Sequence, residues 1–110
     1  MFFYSVDSIE PGAPAEGVEM RVIHGDKMTM VFFRLAQGAA VPEHAHVHEQ
    51  MGTVLRGALE LKIGPETKVV KPQGAYHIPS DVLHSGKCLE GPAEVLEVFT
   101  PRRDDLKWRK

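Results

Sequence analysis

Gly38-Ala-Ala-Val-Pro-Glu-His44-Ala-His46-Val-His48-Glu-Gln50-Met-Gly-Thr-Val-Leu-Arg-Gly57 is the stretch from which the rest of the chain can be read. Successive side chains of a β-strand point to opposite faces, so His44 and His46 face the same way and their ring nitrogens can converge on one ion. Gln50 shares that parity if the strand continues without a bulge, and it offers an amide oxygen. His84 arrives from a later hairpin, after Ile78-Pro79-Ser80-Asp81-Val82-Leu83. Three imidazoles and one oxygen form an open facial site. The expected cofactor is one divalent transition-metal ion, and zinc, nickel, iron, manganese and copper all suit these donors.

Outward from this stretch, turn signals recur at Gly25-Asp26, Gly38, Gly57, Gly64-Pro65, Pro72-Gln73-Gly74, Ser80-Asp81 and Gly91-Pro92. Between them lie short or alternating apolar runs rich in Val, Ile, Leu and Phe: Met28 to Leu35, Leu59 to Ile63 and Glu94 to Phe99. That rhythm predicts an all-β barrel or sandwich. Phe2 to Val6 is an opening strand candidate. The run from Glu10 to Gly17, with its prolines and glycines, is expected to be an irregular connection. A short helix is the best reading of the tail from Arg102 to Lys110.

At 110 residues the chain is about one domain long and large enough to bury a core of its own. We expect a single domain over residues 1–110, with its barrel core at about 20–101. A net charge of −2 provides no basic field for a phosphate backbone, so no nucleic-acid partner is expected and the ligand should be small. The apolar runs are shorter than the ~7 to 15 residues of a signal-peptide core or the ~20 of a membrane span, so no membrane partner is expected either. Cys88, the only cysteine, excludes an internal disulfide and fits a cytoplasmic location.

The two histidine segments resemble the paired motifs of the cupins. The first motif is Gly, five residues, His-x-His, three or four residues, Glu, six residues, Gly; Gly38, His44, His46, Gln50 and Gly57 occupy those positions, with Gln50 in place of the carboxylate. The second is Gly, five residues, Pro-x-Gly-x-x-His, three residues, Asn; it matches at Pro79 and His84 and departs at Gln73, Asp81 and Cys88. The resemblance implies a cupin jelly-roll (double-stranded β-helix) barrel of the RmlC-like kind, with the metal near its wider mouth. A neutral amide at Gln50 leaves the full charge on the ion, which favours a Lewis acid over a readily oxidised centre.

The run from His44 to Gln50 is similar to the His-x-His-x-His-Glu-Gln of the uronate-linearising cupins of the KdgF type. Near the C-terminus those enzymes carry Asp-x-Phe-Ser-Pro-Pro-Arg-Glu-Asp, and this chain has Glu97-Val-Phe99-Thr-Pro101-Arg-Arg103-Asp-Asp. The resemblance implies a proton-transfer carboxylate at Glu97, one methylene longer than the family's Asp, a ring-packing wall at Phe99 and a carboxylate-binding guanidinium at Arg103. Composition alone would let Arg102 serve as well. The implied activity is the opening of a 4,5-unsaturated uronate to its linear keto form, with an anionic sugar as the small-molecule substrate. The alternatives are a metal-dependent dioxygenase and a non-catalytic small-ligand-binding cupin. His48 is expected to cap the barrel mouth, His77 to be structural, and Met28, Met30 and Met51 to fill the core. The apolar opening segment favours a homodimer.

Overall fold

A computed structural model describes residues 2–106. Its regular elements are a 3-10 turn at Val6–Ser8 and eight strands: β1 (Gly12–Ala15), β2 (Val18–His24), β3 (Thr29–Leu35), β4 (Ala40–His44), β5 (Glu49–Ile63), β6 (Glu66–Val70), β7 (Ala75–Ile78) and β8 (His84–Thr100). Every strand pairing is antiparallel. Among the described residues no helix is long and apolar enough to cross a membrane.

The two long strands organise the jelly roll. The first part of β8 pairs with β4 and its later part with β3, while the first part of β5 pairs with β7 and its later part with β6. Both therefore cross from one side of the roll to the other. The change of side falls where the β5–β8 register shifts, between Val54 and Leu59. Gly57 and Gly91-Pro92, expected as turns between strands, lie inside these strands at the corner. Gly57 has φ +80, and a Cβ there would stand 2.4 Å from the Glu90 carbonyl oxygen, so only glycine allows the strands to approach this closely.

Alternation places the core. On β3, Thr29, Val31 and Leu35 turn inward. One apolar cluster gathers Val18, Leu35, Val54, Leu59, Leu61, Cys88, Ala93 and Val95. A second gathers Met20, Val22, Val31, Phe99 and Leu106.

Several expectations are corrected. Phe2 to Val6 is not a strand; Phe2 and Phe3 are 91% and 88% exposed, because β-prone side chains form a strand only where an edge offers backbone partners. Part of the expected irregular run is β1, paired with β2 across a register shift. Pro14 is tolerated there because an edge strand need not donate on its outer side. Met28, Met30 and Met51 do not fill the core; all three are exposed. Met30 and Met51 both lie in register with Val98, one residue out of phase with the inward-facing Val31 and Gln50. The tail is not helical over residues 102–106, where Leu106 packs against the second cluster, and residues 107–110 lie outside the described chain. Gln73 and Asp81 stand where the second motif has glycine and keep positive φ values of 76° and 64°.

Candidate metal centre

His44 and His84 are directly opposed across the β4–β8 pair, with ring centroids 4.3 Å apart. His46 does not reach them by strand alternation. β4 ends at His44 and β5 begins at Glu49, and the intervening bend turns the His46 ring to 4.9 Å from His84. One ligand atom from each of the three histidines lies within 4.8 Å of the others. Gln50, on β5, is buried and lines the same cavity.

Each of the three rings is oriented by a backbone carbonyl. The Nδ1 atoms of His44, His46 and His84 donate to the carbonyl oxygens of Pro42 at 2.8 Å, His48 at 2.9 Å and Val82 at 2.9 Å. A proton on Nδ1 leaves the lone pair on Nε2, which is the tautomer a metal requires. His46 Nε2, His84 Nε2 and Gln50 Oε1 are buried without hydrogen-bond partners. Such atoms cost about 1–3 kcal/mol each when left unpaired, and a cation held among the three imidazoles would satisfy the ring nitrogens together, with Gln50 lining the same cavity. Burial, seconded by the Arg103 charge, holds the His46 ring below the ordinary imidazole pKa. Burial does the same at His84. The donor set thus fits a divalent transition metal.

His48 lies beside the cluster, 5.8 Å from the His46 ring. Its Nδ1 is also buried and unpartnered, but the ring is outside the convergent group of three. His77 is remote in role, its Nε2 pairing with Glu49 at 2.7 Å on the surface.

The cavity beside the histidines holds about 450 Å³ and is also lined by Glu97, Phe99, Arg103 and Asp105. Glu97 faces inward from β8 and is buried. Desolvation pushes its carboxyl pKa upward, against hydrogen bonds from Tyr76 and Gln50 and the charge of Arg103. Tyr76 donates its phenolic O–H to Glu97 Oε2. Burial, then the Glu97 charge, raises the phenol pKa far above its usual value.

Sequence reasoning missed Tyr76. The available signal was Gly52, which faces Tyr76 on one side and Glu97 on the other. A Cβ at Gly52 would stand 2.6 Å from the Tyr76 hydroxyl and 2.9 Å from Glu97 Cγ. Gly52→Ala is therefore expected to destabilise the protein by about 1–3 kcal/mol through overpacking, read as a lower denaturation midpoint. An unchanged midpoint would show that the tyrosine is free to move aside.

Arg103 is carried by the non-helical tail. Its backbone N–H donates to Thr29 Oγ1 at 2.9 Å, and His24 bridges Thr29 Oγ1 and the Leu106 carbonyl at 2.9 and 3.1 Å. The guanidinium lies 4.8 Å over the Phe99 ring and pairs with Asp105, Nε to Oδ1 at 3.0 Å and Nη2 to Oδ2 at 2.6 Å. That pairing holds the Asp105 pKa down at about 2. Arg102 instead pairs with Asp104 at 2.7 Å and lines a separate surface depression.

Comparison with known proteins gives the family and the fold. The family model described as Cupin domain, Cupin_2, matches residues 31–99. The pectin degradation protein KdgF of Dickeya dadantii (strain 3937) is 29% identical over 106 residues, spanning 94% of this chain and 96% of that protein. The solved structure of KdgF from Halomonas sp. superposes with a TM-score of 0.89 at 27% identity, covering 94% of this chain and 96% of that one. An RmlC-like cupin from Shewanella frigidimarina NCIMB 400 reaches the same 0.89 at 23% identity, covering 96% and 95%, a likeness of fold.

Proposed function

The chain belongs to the Cupin_2 family of cupin domains, and from that premise we propose that it binds one divalent metal ion and opens 4,5-unsaturated uronates to their linear keto form. The observation that carries this reading is one cavity lined by three convergent imidazoles, a buried carboxylate, an aromatic ring and a guanidinium. Its likeness to two KdgF proteins, one described as a pectin degradation protein, supports the sugar-acid class.

His44, His46, Gln50 and His84 would hold the ion, which supplies positive charge to a sugar oxygen. A 4,5-unsaturated uronate is a cyclic hemiacetal whose ring oxygen is also part of an enol ether. Opening it takes a proton from the C1 hydroxyl as the C1–O5 bond breaks, and returns a proton at C4 as the C5 ketone forms. Glu97 serves both transfers, because burial raises its pKa and lets the carboxylate retain the proton it accepts. Asp105 uses two of the five guanidinium N–H groups of Arg103. The remaining edge presents Nη1 and Nη2 to the substrate carboxylate as a bidentate partner. Phe99 packs against the sugar ring and keeps water from that face.

The test is incubation of the metal-loaded protein with unsaturated monouronates from pectin and from alginate, watching the ultraviolet absorbance of the conjugated ring. Loss of absorbance without oxygen uptake is expected. Oxygen uptake would favour a dioxygenase, and tight binding without turnover a binding protein.

We also propose a homodimer. Ile23, Met30, Val98 and Met51 form one cross-strand row on the outer face of the sheet, and Met51 is 59% exposed. Sedimentation should give about twice the 12.2 kDa chain mass, with Met51→Lys shifting it toward one. A wild-type chain that sediments as a monomer at micromolar concentration would refute the dimer.

A further inference from the structure

Gln50 differs from the three histidines in what orients it. Each imidazole is set by a backbone carbonyl, whereas a primary amide can present either its oxygen or its NH₂ group to a neighbour. A metal accepts only the oxygen. Gln50 stands opposite Phe99 and Gly52 opposite Glu97 on the β5–β8 pair, so Gln50 and Glu97 are diagonal neighbours lining one cavity, and the amide favours the ionised carboxylate, which accepts from the NH₂ group and not from the oxygen. Oε1 is then turned away from the carboxylate, and it is the Gln50 atom left buried and unpartnered. Glu97 is in turn fixed by Tyr76, whose hydroxyl donates to Oε2. The two side chains meet across Gly52, where no Cβ fits between them.

We propose that Glu97, held by Tyr76 across the gap at Gly52, is the positioning residue that turns the Gln50 carbonyl oxygen toward His44, His46 and His84. The inference rests on the metal-site reading above and adds a second duty for the carboxylate, separate from proton transfer. Outer partners of this kind are worth 10- to 100-fold in metal affinity. The relay also explains why Tyr76 directs its hydroxyl at the buried Glu97 carboxylate.

The test is a double-mutant cycle on zinc(II) affinity, measured by calorimetric titration of the metal-free full chain. Gln50→Ala and Glu97→Met, the latter keeping side-chain length while removing both acceptors, are each expected to weaken binding roughly 10- to 100-fold. The double variant should bind about as weakly as Gln50→Ala alone, because Glu97 acts through the amide. Tyr76→Phe, which preserves the ring, should weaken binding at least about threefold, and this loss too should vanish in the Gln50→Ala background. If Glu97→Met does not fold, the tyrosine cycle decides. Losses that multiply in the double variants, or wild-type affinity in Glu97→Met or Tyr76→Phe, overturn the inference and leave the metal site standing. A wild-type chain that binds no zinc overturns the metal-site reading with it.

Discussion

His84→Ala is expected to abolish the thermal stabilisation that zinc(II) or nickel(II) gives the wild-type chain, while leaving the metal-free melting temperature close to its original value. A ligand present at a thousand times its dissociation constant stabilises the folded state by about 4 kcal/mol. For a domain of this size that corresponds to a rise on the order of 15 °C. His84 is buried at the meeting of β4 and β8, so its removal takes one of the three convergent imidazoles from the cluster. In the metal-free protein two terms oppose each other. The lost ring packing and the Nδ1 bond to Val82 cost stability, while deleting an unpartnered buried nitrogen relieves about 1–3 kcal/mol. His77→Ala, on the surface with Glu49, should change neither melting curve. A metal-induced shift that survives in His84→Ala would remove the cluster as the seat of the ion.

The depressed His46 and His84 pKa values also give a sign to the pH dependence. As pH falls through the ordinary imidazole value of 6.5, the unfolded chain takes up protons that the folded rings resist, so these residues destabilise the metal-free fold progressively toward acid. Glu97, with its raised pKa, acts in the opposite sense above 4.5. Bound metal, which requires neutral imidazoles, should be released over the same acid range as the rings finally protonate.

Arg103→Ala is expected to reduce kcat/KM toward an unsaturated uronate by about 2–5 kcal/mol, roughly thirtyfold to several thousandfold, with Arg102→Ala nearly silent. The two arginines are adjacent and equal in composition. Arg103 is only 14% exposed, stacks on Phe99 and is aligned by Asp105 from behind. Lysine should rescue poorly, since an ammonium can neither present a planar pair of donors nor keep the stack. Metal affinity should not weaken in Arg103→Ala, because the guanidinium charge opposes a cation beside His46 and His84. Damage from Arg102→Ala instead would place the substrate carboxylate elsewhere. Full activity in both variants would remove the anionic-sugar assignment.

How much of this was legible in advance differs from element to element. The apolar runs at Leu59–Ile63 and Glu94–Phe99 fall within β5 and β8, and the run at Met28–Leu35 overlaps β3 in all but its first residue, because alternation is a local property that survives into the sheet. The cupin motifs placed His44, His46, Gln50 and His84 in order along the chain, and the structure brings the three histidines together, with Gln50 lining the same cavity. Tyr76 was missed, since its partner Glu97 lies 21 residues away and its one signal, Gly52, acquires meaning only once the strands on either side of it are paired.

By itself the sequence determined the all-β class and the order of the histidines along the chain, since both are written in residue type and spacing; it left Arg102 and Arg103 equal on composition, and only the resemblance to the uronate-linearising cupins singled out Arg103. Tertiary structure alone decided which strands pair and where they turn. Gly57 and Gly91 became corners inside long strands because β5 and β8 approach each other there. Phe2 to Val6 found no partner edge, and Gly12–Ala15 did. Met30 and Met51 were turned outward by pairing with Val98. The tail was drawn onto the barrel by Thr29, His24 and the pocket that buries Leu106. In each case the deciding interaction joins residues far apart in the chain, and local propensity carries no information about which distant edge or cavity will be there to satisfy a backbone group or an apolar side chain.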